Sequence, residues 1–456
     1  MTYIIVALII LAYAFIATGH YTGVNKAAIA MFLGTVGWVV YVGWGTDYVM
    51  QQHPTDYVSY LDGQPATSRA VKGFIQEDIF LSYVGRAASV VMFLLATMSI
   101  TELLQGNGCF DFIAKWASSR NKYQVAAVLT VVTFVVSAHL DNLTTATMML
   151  MVMHSVIRNR RQRMLLGAMV LIAANCGGLF TVIGDPIGLI LWEKAAVTAT
   201  NFSAWLMLPA IVATAVPVLL ILRCLPPRLE TEWVVAPFRG DDTRLSRWQR
   251  AAMLIVGIGG LWFVPTFHNI TGLSPFLGAL CVLSVLWVVN EAVNRRVNDA
   301  DQMAARRIPR ALQYGAMQQM LFVMGIMLSM GVMIESGIMG GMARFASDIF
   351  ASPWAIAIVA GLLSSLIDTF TVAITAVSLY DVAADGLFAV NALYWKLIAF
   401  TTATGGCLML FGSTSGIALA KAEHVGFGWY LRHIAPKMLL GIVAGLLVIY
   451  LETVLL

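Results

Sequence analysis

Residues 137–147 read SAHLDNLTTAT, where one carboxylate, one amide and several hydroxyls interrupt an apolar segment. A charged side chain at the centre of a bilayer costs about 2.5–3.5 kcal/mol on insertion scales, so an aspartate here indicates a function. Most of the polar atoms that Asp141, Asn142, Thr144 and Thr145 offer are oxygens, which hard cations such as Na⁺ prefer. The alternative is a neutral carboxyl group that only bonds a neighbouring helix.

The composition of the whole chain is that of a polytopic membrane protein. Of its 456 residues, 59% are hydrophobic and 11% are charged, a balance that soluble domains do not show. The net charge of +4 does not indicate a nucleic-acid partner, and the five scattered cysteines indicate neither a disulfide framework nor a metal site. Apolar runs long enough to cross a bilayer lie at about 3–18, 26–44, 80–104, 164–194, 204–222, 250–268, 275–293, 313–336, 392–420 and 437–455. The chain is therefore predicted to be all-α, with about ten transmembrane helices.

Two further apolar stretches are predicted to fold back without crossing the membrane. The first, at about 121–157, would be about 55 Å long as a single helix, well beyond a hydrocarbon core of about 30 Å. Basic residues flank it on both sides, among them Lys122 and Arg158, so both of its ends are expected on the cytoplasmic side. The second, at about 354–380, has acidic flanks and is expected to open to the outside. We predict two re-entrant hairpins with polar tips inside the membrane.

The two halves of the chain repeat the same motifs at a constant offset. Asp141 and Asp368 are 227 residues apart, and the Gly-Gly pairs at 177–178 and 405–406 are 228 apart. Because the two hairpins are predicted to open to opposite sides, the repeats are inverted, which is typical of secondary transporters with a site at mid-membrane. The predicted units are a first repeat at 1–222, a cytoplasmic linker at 223–249 and a second repeat at 250–456.

Each Gly-Gly pair lies inside a long apolar run, at about 164–194 and 392–420. Glycine weakens a helix interior and admits unusual backbone angles, so both runs are predicted to be broken helices whose free ends face a cavity. A glycine pair that only allows close helix packing is the alternative. Candidates for the site near these breaks are Asn175, Asp185, Ser413 and Thr414.

Charge at the hairpin tips bears on the substrate. Like charges about 4 Å apart repel by about 4 kcal/mol at an effective dielectric of about 20, so Asp141 and Asp368 favour cations and disfavour anions. His139, two residues before Asp141, is either a proton-coupled neighbour of the site or a hydrogen-bonding filler at the tip.

These motifs resemble those of the ion transporter superfamily, and within it the bacterial NhaD-type sodium/proton antiporters. The resemblance runs from about Val90 to the C-terminus, on LDNLTTAT (140–147), AANCGGLFTVIGD (173–185), Asp368-Thr369 and GGCLMLFGSTSG (405–416). It implies export of Na⁺ or Li⁺ in exchange for protons without a cofactor. It also implies a homodimer in the lipid of the bacterial inner membrane, with an elevator-like movement against a fixed scaffold. The residues carried over are Asp141, Asn142, Asn175, Asp185, Asp368, Thr369 and Ser413, with Na⁺ expected at Asp141, Asn142, Asp185 and Asp368.

One departure from the family pattern concerns the first break, where Pro186, Ile187 and Gly188 follow Asp185 in place of a threonine run. This form resembles the arsenite-exporter and pink-eyed-dilution branches, so a sodium- or proton-coupled carrier of arsenite or of an organic acid anion is the alternative. An intramembrane aspartyl protease is the alternative from another class. That class has YD and GxGD motifs where this chain has HLD and VIGD, and no nucleophile elbow or HExxH motif is present. We therefore predict a transporter and no enzyme.

Overall fold

The computed structural model describes residues 2–63, 65–231, 245–294, 314–350 and 352–455. Within these ranges the chain is helical, with isolated bridges as its only strand-like pairing. The helices are α1 Thr2–Thr22, α2 Lys26–Trp44, α3 Thr46–Gln52, α4 Pro54–Leu61, α5 Ser68–Phe74, α6 Leu81–Gly106, α7 Asp111–Ala117, α8 Lys122–Ser137, α9 Asn142–Val156, α10 Arg160–Leu179, α11 Pro186–Glu193, α12 Ala199–Leu222, α13 Arg247–Leu254, α14 Phe263–Thr271, α15 Pro275–Asn294, α16 Tyr314–Glu335, α17 Ile338–Ile349, α18 Pro353–Leu366, α19 Thr369–Ser378, α20 Leu393–Gly405, α21 Thr414–Glu423, α22 Phe427–His433 and α23 Ala435–Leu455. Two π-helical segments, Ile75–Phe80 and Ile255–Gly259, precede α6 and follow α13.

The predicted all-α polytopic membrane fold is confirmed. Among the described residues, eight helices are long and apolar enough to cross a membrane, or ten if two bent helix pairs are counted as single spans. One of these pairs, α17 and α18, turns by 117°, and α18 is the first arm of the second predicted hairpin. The predicted run at 392–420 consists of two shorter helices, α20 and α21, with a break between them. Residues 232–244 of the predicted linker lie outside the described residues.

The stretch from α8 to α9 folds back on itself, and we call it the first hairpin. Asn121, just before α8, forms a bridge with Arg228, and Ile157, just after α9, forms one with Thr231. Three residues of extended chain cover only about 10 Å, so both ends of the hairpin lie at the same end of the structure. Ends that lay on opposite sides of a bilayer would be about 30 Å apart. In the second hairpin, α18 and α19 are joined by only two residues, 367 and 368.

The helices fall into two groups by their packing. The scaffold group, α1, α2, α6, α15 and α16, packs mainly on itself, and the hairpin group joins both hairpins to α10, α12, α20, α21 and α23. Within the scaffold group, α2 and α16 meet backbone to backbone, because a Cβ atom on Gly325 would overlap the backbone of Ala30. Small residues permit such close approach in membrane proteins. The tips of both hairpins lie where the two groups meet.

Candidate functional site

Each hairpin tip places an aspartate at the N-terminus of the second helical arm. Asp141 Oδ2 accepts the backbone N–H groups of Leu143 and Thr144 at 3.1 and 3.2 Å. Asp368 Oδ2 accepts those of residues 370 and 371 at 3.1 and 3.3 Å. Both aspartates satisfy helix donors that have no partner within the helix, and in each only Oδ2 makes these bonds. The Oδ1 atoms remain for other partners.

Those partners come from the scaffold group and differ in charge. Gln319, on α16, donates its Nε2 hydrogen to Asp141 Oδ1 at 2.9 Å. Lys26, the first residue of α2, lies with Nζ 3.2 Å from Asp368 Oδ1. Asp368 therefore has a positive partner, whereas the partner of Asp141 is a neutral amide.

The arms of the two hairpins contact the broken helices in the same way. Ser137 Oγ donates to the carbonyl of Ala174 at 2.6 Å, and Ser364 Oγ donates to that of Thr402 at 2.7 Å. These contacts repeat at the offset that relates the motifs in the sequence. The similarity between the two halves of the chain thus extends from their sequence motifs to these two hydrogen bonds.

A glycine at each break lets the hairpin tip approach. A Cβ atom on Gly178 would overlap Asn142 Oδ1, and one on Gly406 would overlap Thr369 Oγ1. In the first half this approach brings Asn142 Nδ2 to 2.6 Å from Asp185 Oδ2. Any side chain larger than hydrogen at Gly178 would therefore displace the hydrogen bond between the first hairpin and the first break.

The tips and the breaks enclose a cavity of about 40 Å³, enough for a small ion with one or two waters. Predicted site residues that line it are Asp141, Asn142, Asn175, Asp185, Asp368, Thr369, Ser413 and Thr414. Among the described residues, no group of three or more His, Cys, Asp or Glu side chains is placed to hold a metal ion together. A cation in this cavity would need amide and hydroxyl oxygens in addition to carboxylates.

Asn175 connects the two broken helices. Its Nδ2 lies 3.1 Å from Ser413 Oγ and 3.0 Å from Cys407 Sγ, and its Oδ1 accepts a hydrogen bond from Ser415 Oγ at 2.8 Å. Every polar atom of this buried side chain has a protein partner. In this conformation Asn175 holds α10 against the second break rather than presenting a free oxygen.

Three predicted residues lie near the cavity without lining it. Thr144 Oγ1 donates to Asp141 at 3.3 Å, and Thr145 is buried with its Oγ1 atom unpartnered. His139 stacks on Trp262 with ring centroids 5.0 Å apart, and its Nδ1 lies 2.9 Å from the carbonyl of Val135. This placement favours the hydrogen-bonding role that the sequence left open for His139.

Gln319 and Lys26 are polar residues at the site that the sequence did not predict. Gln319 lies in a methionine-rich run that suggests packing, and Lys26 begins a span, where lysines are common. The Oε1 atom of Gln319 is buried and has no hydrogen-bond partner, although the residue lines the cavity. An unpaired buried oxygen is costly, so this atom is available to a ligand that enters the cavity beside Asp141.

Comparison with known proteins agrees with this architecture. The citrate transporter family, CitMHS, matches residues 2–398. Sodium/proton antiporter 1 of Arabidopsis thaliana is 29% identical over 426 residues, covering 92% of this chain and 67% of the relative. Sodium/proton antiporter 2 of the same plant is 30% identical over 365 residues, 79% of this chain and 84% of the relative. The Na⁺/H⁺ antiporter NhaD of Vibrio cholerae is 25% identical over 407 residues, 85% and 82% of the two chains. The chain is thus a multi-pass membrane transporter and not an enzyme, and it belongs to the citrate transporter family, where its relatives include the NhaD-type antiporters.

Proposed function

We propose that this protein is a secondary active transporter that exports Na⁺, or Li⁺, in exchange for protons. One observation carries the proposal: Asp141 and Asp185 line the same cavity, and the side chains bonded to them, those of Gln319, Thr144 and Asn142, are neutral. Their negative charge is therefore not balanced by a positive side chain bonded to them. In the proposed exchange, a small cation neutralises these carboxylates while it is bound, and protons neutralise them when the cation has left.

An organic acid anion, to which the family name refers, is the second candidate. Four helices, α9, α11, α19 and α21, begin at the cavity, and helix N-termini attract anions. However, the capping positions are already filled by Asp141, Asp185, Asp368 and Ser413. Three of these four caps are carboxylates where an anion would bind, so the same helix ends support a cation instead. No feature of the described cavity favours arsenite, the other alternative substrate.

Alternating access through movement of the hairpin group is part of the proposal. Gln319 and Lys26 belong to the scaffold group, and the aspartates that they contact belong to the hairpin group. A shift of one group along the other would carry the three aspartates away from Lys26 and from the part of the cavity wall that α16 forms with Gln319, Phe322 and Val323. The matched contacts of the two hairpins support an inverted repeat as the basis of this movement. We further propose a homodimer in the bacterial inner membrane.

Reconstitution into liposomes tests the function directly. Purified protein is placed in vesicles with an acidic interior and a trapped pH indicator, and Na⁺, Li⁺, K⁺, citrate or arsenite is added outside. We expect Na⁺ and Li⁺ to raise the internal pH and the other additions to have no effect. Uptake of labelled citrate or arsenite together with no response to Na⁺ would contradict the proposal in favour of the anion carrier.

A further inference from the structure

The ion pair between Lys26 and Asp368 crosses the boundary between the two helix groups. The Asp368 side chain is 2% exposed and that of Lys26 is 19% exposed, with 3.2 Å between Nζ and Oδ1. Lys26 belongs to α2 in the scaffold group, and Asp368 forms the tip of the second hairpin. Any shift of the hairpin group along the scaffold group separates this pair.

The equivalent contact in the other half has no charge. Asp141 and Asp368 each cap a helix through Oδ2, which accepts the backbone N–H groups two and three residues further along the chain. The Oδ1 atom of Asp141 bonds the amide of Gln319, whereas the Oδ1 atom of Asp368 bonds the ammonium group of Lys26. An amide can give way to a cation at Asp141 without exposing a second charge. At Asp368 the ammonium group of Lys26 already occupies the position that a transported cation would take.

Separation of this pair leaves the buried carboxylate of Asp368 without a compensating charge, which is unfavourable. We propose that Lys26 is a tethered counter-cation of Asp368, which confines the transported cation to the Asp141 and Asp185 side of the cavity and holds the hairpin group in the present conformation. This inference rests on the proposed cation transport. Lys26 is a positioning residue here, since it acts through Asp368.

A double-mutant cycle tests the proposal in the vesicle assay, with the half-maximal Na⁺ concentration and the maximal rate measured separately. Lys26→Gln removes one positive charge beside the cavity, so we expect the half-maximal Na⁺ concentration to fall about tenfold. Asp368→Asn leaves the ammonium group unpaired, so Na⁺-driven proton movement is lost. The double variant Lys26→Gln/Asp368→Asn has the wild-type net charge at this position, and we expect it to recover measurable exchange.

Two further variants separate this role from a loss of folding. Lys26→Arg keeps the charge and should retain a half-maximal Na⁺ concentration close to that of the wild type. Lys194→Gln also removes a largely buried lysine, whose Nζ donates to the carbonyls of Val377 and Tyr380, and it should leave that concentration unchanged. Melting temperatures of the purified proteins give a readout that needs no transport: either single change at the pair should lower Tm more than the double change.

The outcomes are distinct. A double variant as inactive as Asp368→Asn would overturn the proposal, because Asp368 would then act as a ligand in its own right. An unchanged half-maximal Na⁺ concentration in Lys26→Gln, or additive effects on Tm, would overturn it as well. Failure of the proposed function itself shows separately, as a wild-type protein without any Na⁺-driven proton movement.

Discussion

Replacing Asp141 by asparagine removes one charge from the cavity and leaves the helix cap in place. Asparagine caps helices as well as aspartate does, so its oxygen still accepts the N–H groups of Leu143 and Thr144. The introduced amide nitrogen faces Gln319, whose Nε2 now bonds Asp141 Oδ1. Rotation of the Gln319 amide by half a turn brings its unpartnered Oε1 into that place. We therefore expect Asp141→Asn to fold with little loss of stability.

The loss of cation binding follows from the charge. A unit charge about 4 Å away contributes about 4 kcal/mol at an effective dielectric of about 20. Each 1.4 kcal/mol is about a factor of ten in affinity, so Asp141→Asn should raise the half-maximal Na⁺ concentration by a factor of about 1,000. No exchange would then be measurable at Na⁺ concentrations that saturate the wild type.

The assay compares proton movement in vesicles with the Tm of the same purified preparations. Asp111→Asn is the matched control, because this substitution removes the same charge from a residue outside the cavity. Asp111 forms an exposed ion pair with Arg250, with 3.4 Å between the charged atoms. We expect this control to keep its half-maximal Na⁺ concentration within about twofold of wild type, as surface pairs contribute little. Normal exchange by Asp141→Asn would refute the reasoning and make Asp141 a structural cap alone.

Three other predictions concern the hairpin, the break and the proton. Cysteines introduced at Asn121 and Asn159 should react with impermeant reagents from the same side of the membrane, because both ends of the first hairpin pair with one short segment; labelling from opposite sides would contradict the folded-back arrangement. Asp185→Asn should abolish exchange and also lower stability by about 1.5–3 kcal/mol, since the charged bond from Asn142 is lost; unchanged exchange with unchanged Tm would reduce Asp185 to a helix cap. If Na⁺ and H⁺ share one site, the half-maximal Na⁺ concentration should rise as pH falls, and Na⁺ must weaken proton binding by the same coupling free energy. A half-maximal concentration that stays constant from about pH 6 to 9 would point to a separate proton pathway.

Polar residues in apolar surroundings were predictable because a charge inside a membrane is costly and persists mainly where it serves a function. Asp141 and Asp368 stood out by charge, and Asp185 by its place after a glycine break. Their convergence on one cavity followed from the repeated offset, since the two halves had to place equivalent breaks against equivalent tips. In the structure, the contacts of Ser137 and Ser364 with the two broken helices recur at the same offset.

The scaffold partners could not be predicted in the same way. A lysine at the first position of a span reads as an interfacial residue, because its long side chain usually reaches the lipid headgroups. Lys26 instead turns to a carboxylate more than 340 residues away in sequence, and nothing local to it indicates this partner. The repeat did not help either, because Lys26 and Gln319 break the two-fold similarity that the hairpins keep.

The position of the Lys26 and Gln319 contacts along α2 and α16 bears on the direction in which the hairpin tips could move. Lys26 is the first residue of the 19-residue α2, and Gln319 is the sixth of the 22-residue α16, helices about 28 and 33 Å long. Both hairpin tips therefore meet the scaffold near the same end. At the other end of α16, Glu335 is 3% exposed and bonded to Tyr83 and His53 at 2.8 Å. In the alternating access proposed above, the tips would move along α16 toward Glu335, and the bonds of Lys26 and Gln319 would be the first to break. The energy of these two contacts, one charged and one neutral, would therefore oppose this proposed movement, and a cation bound at Asp141 would offset only the neutral one.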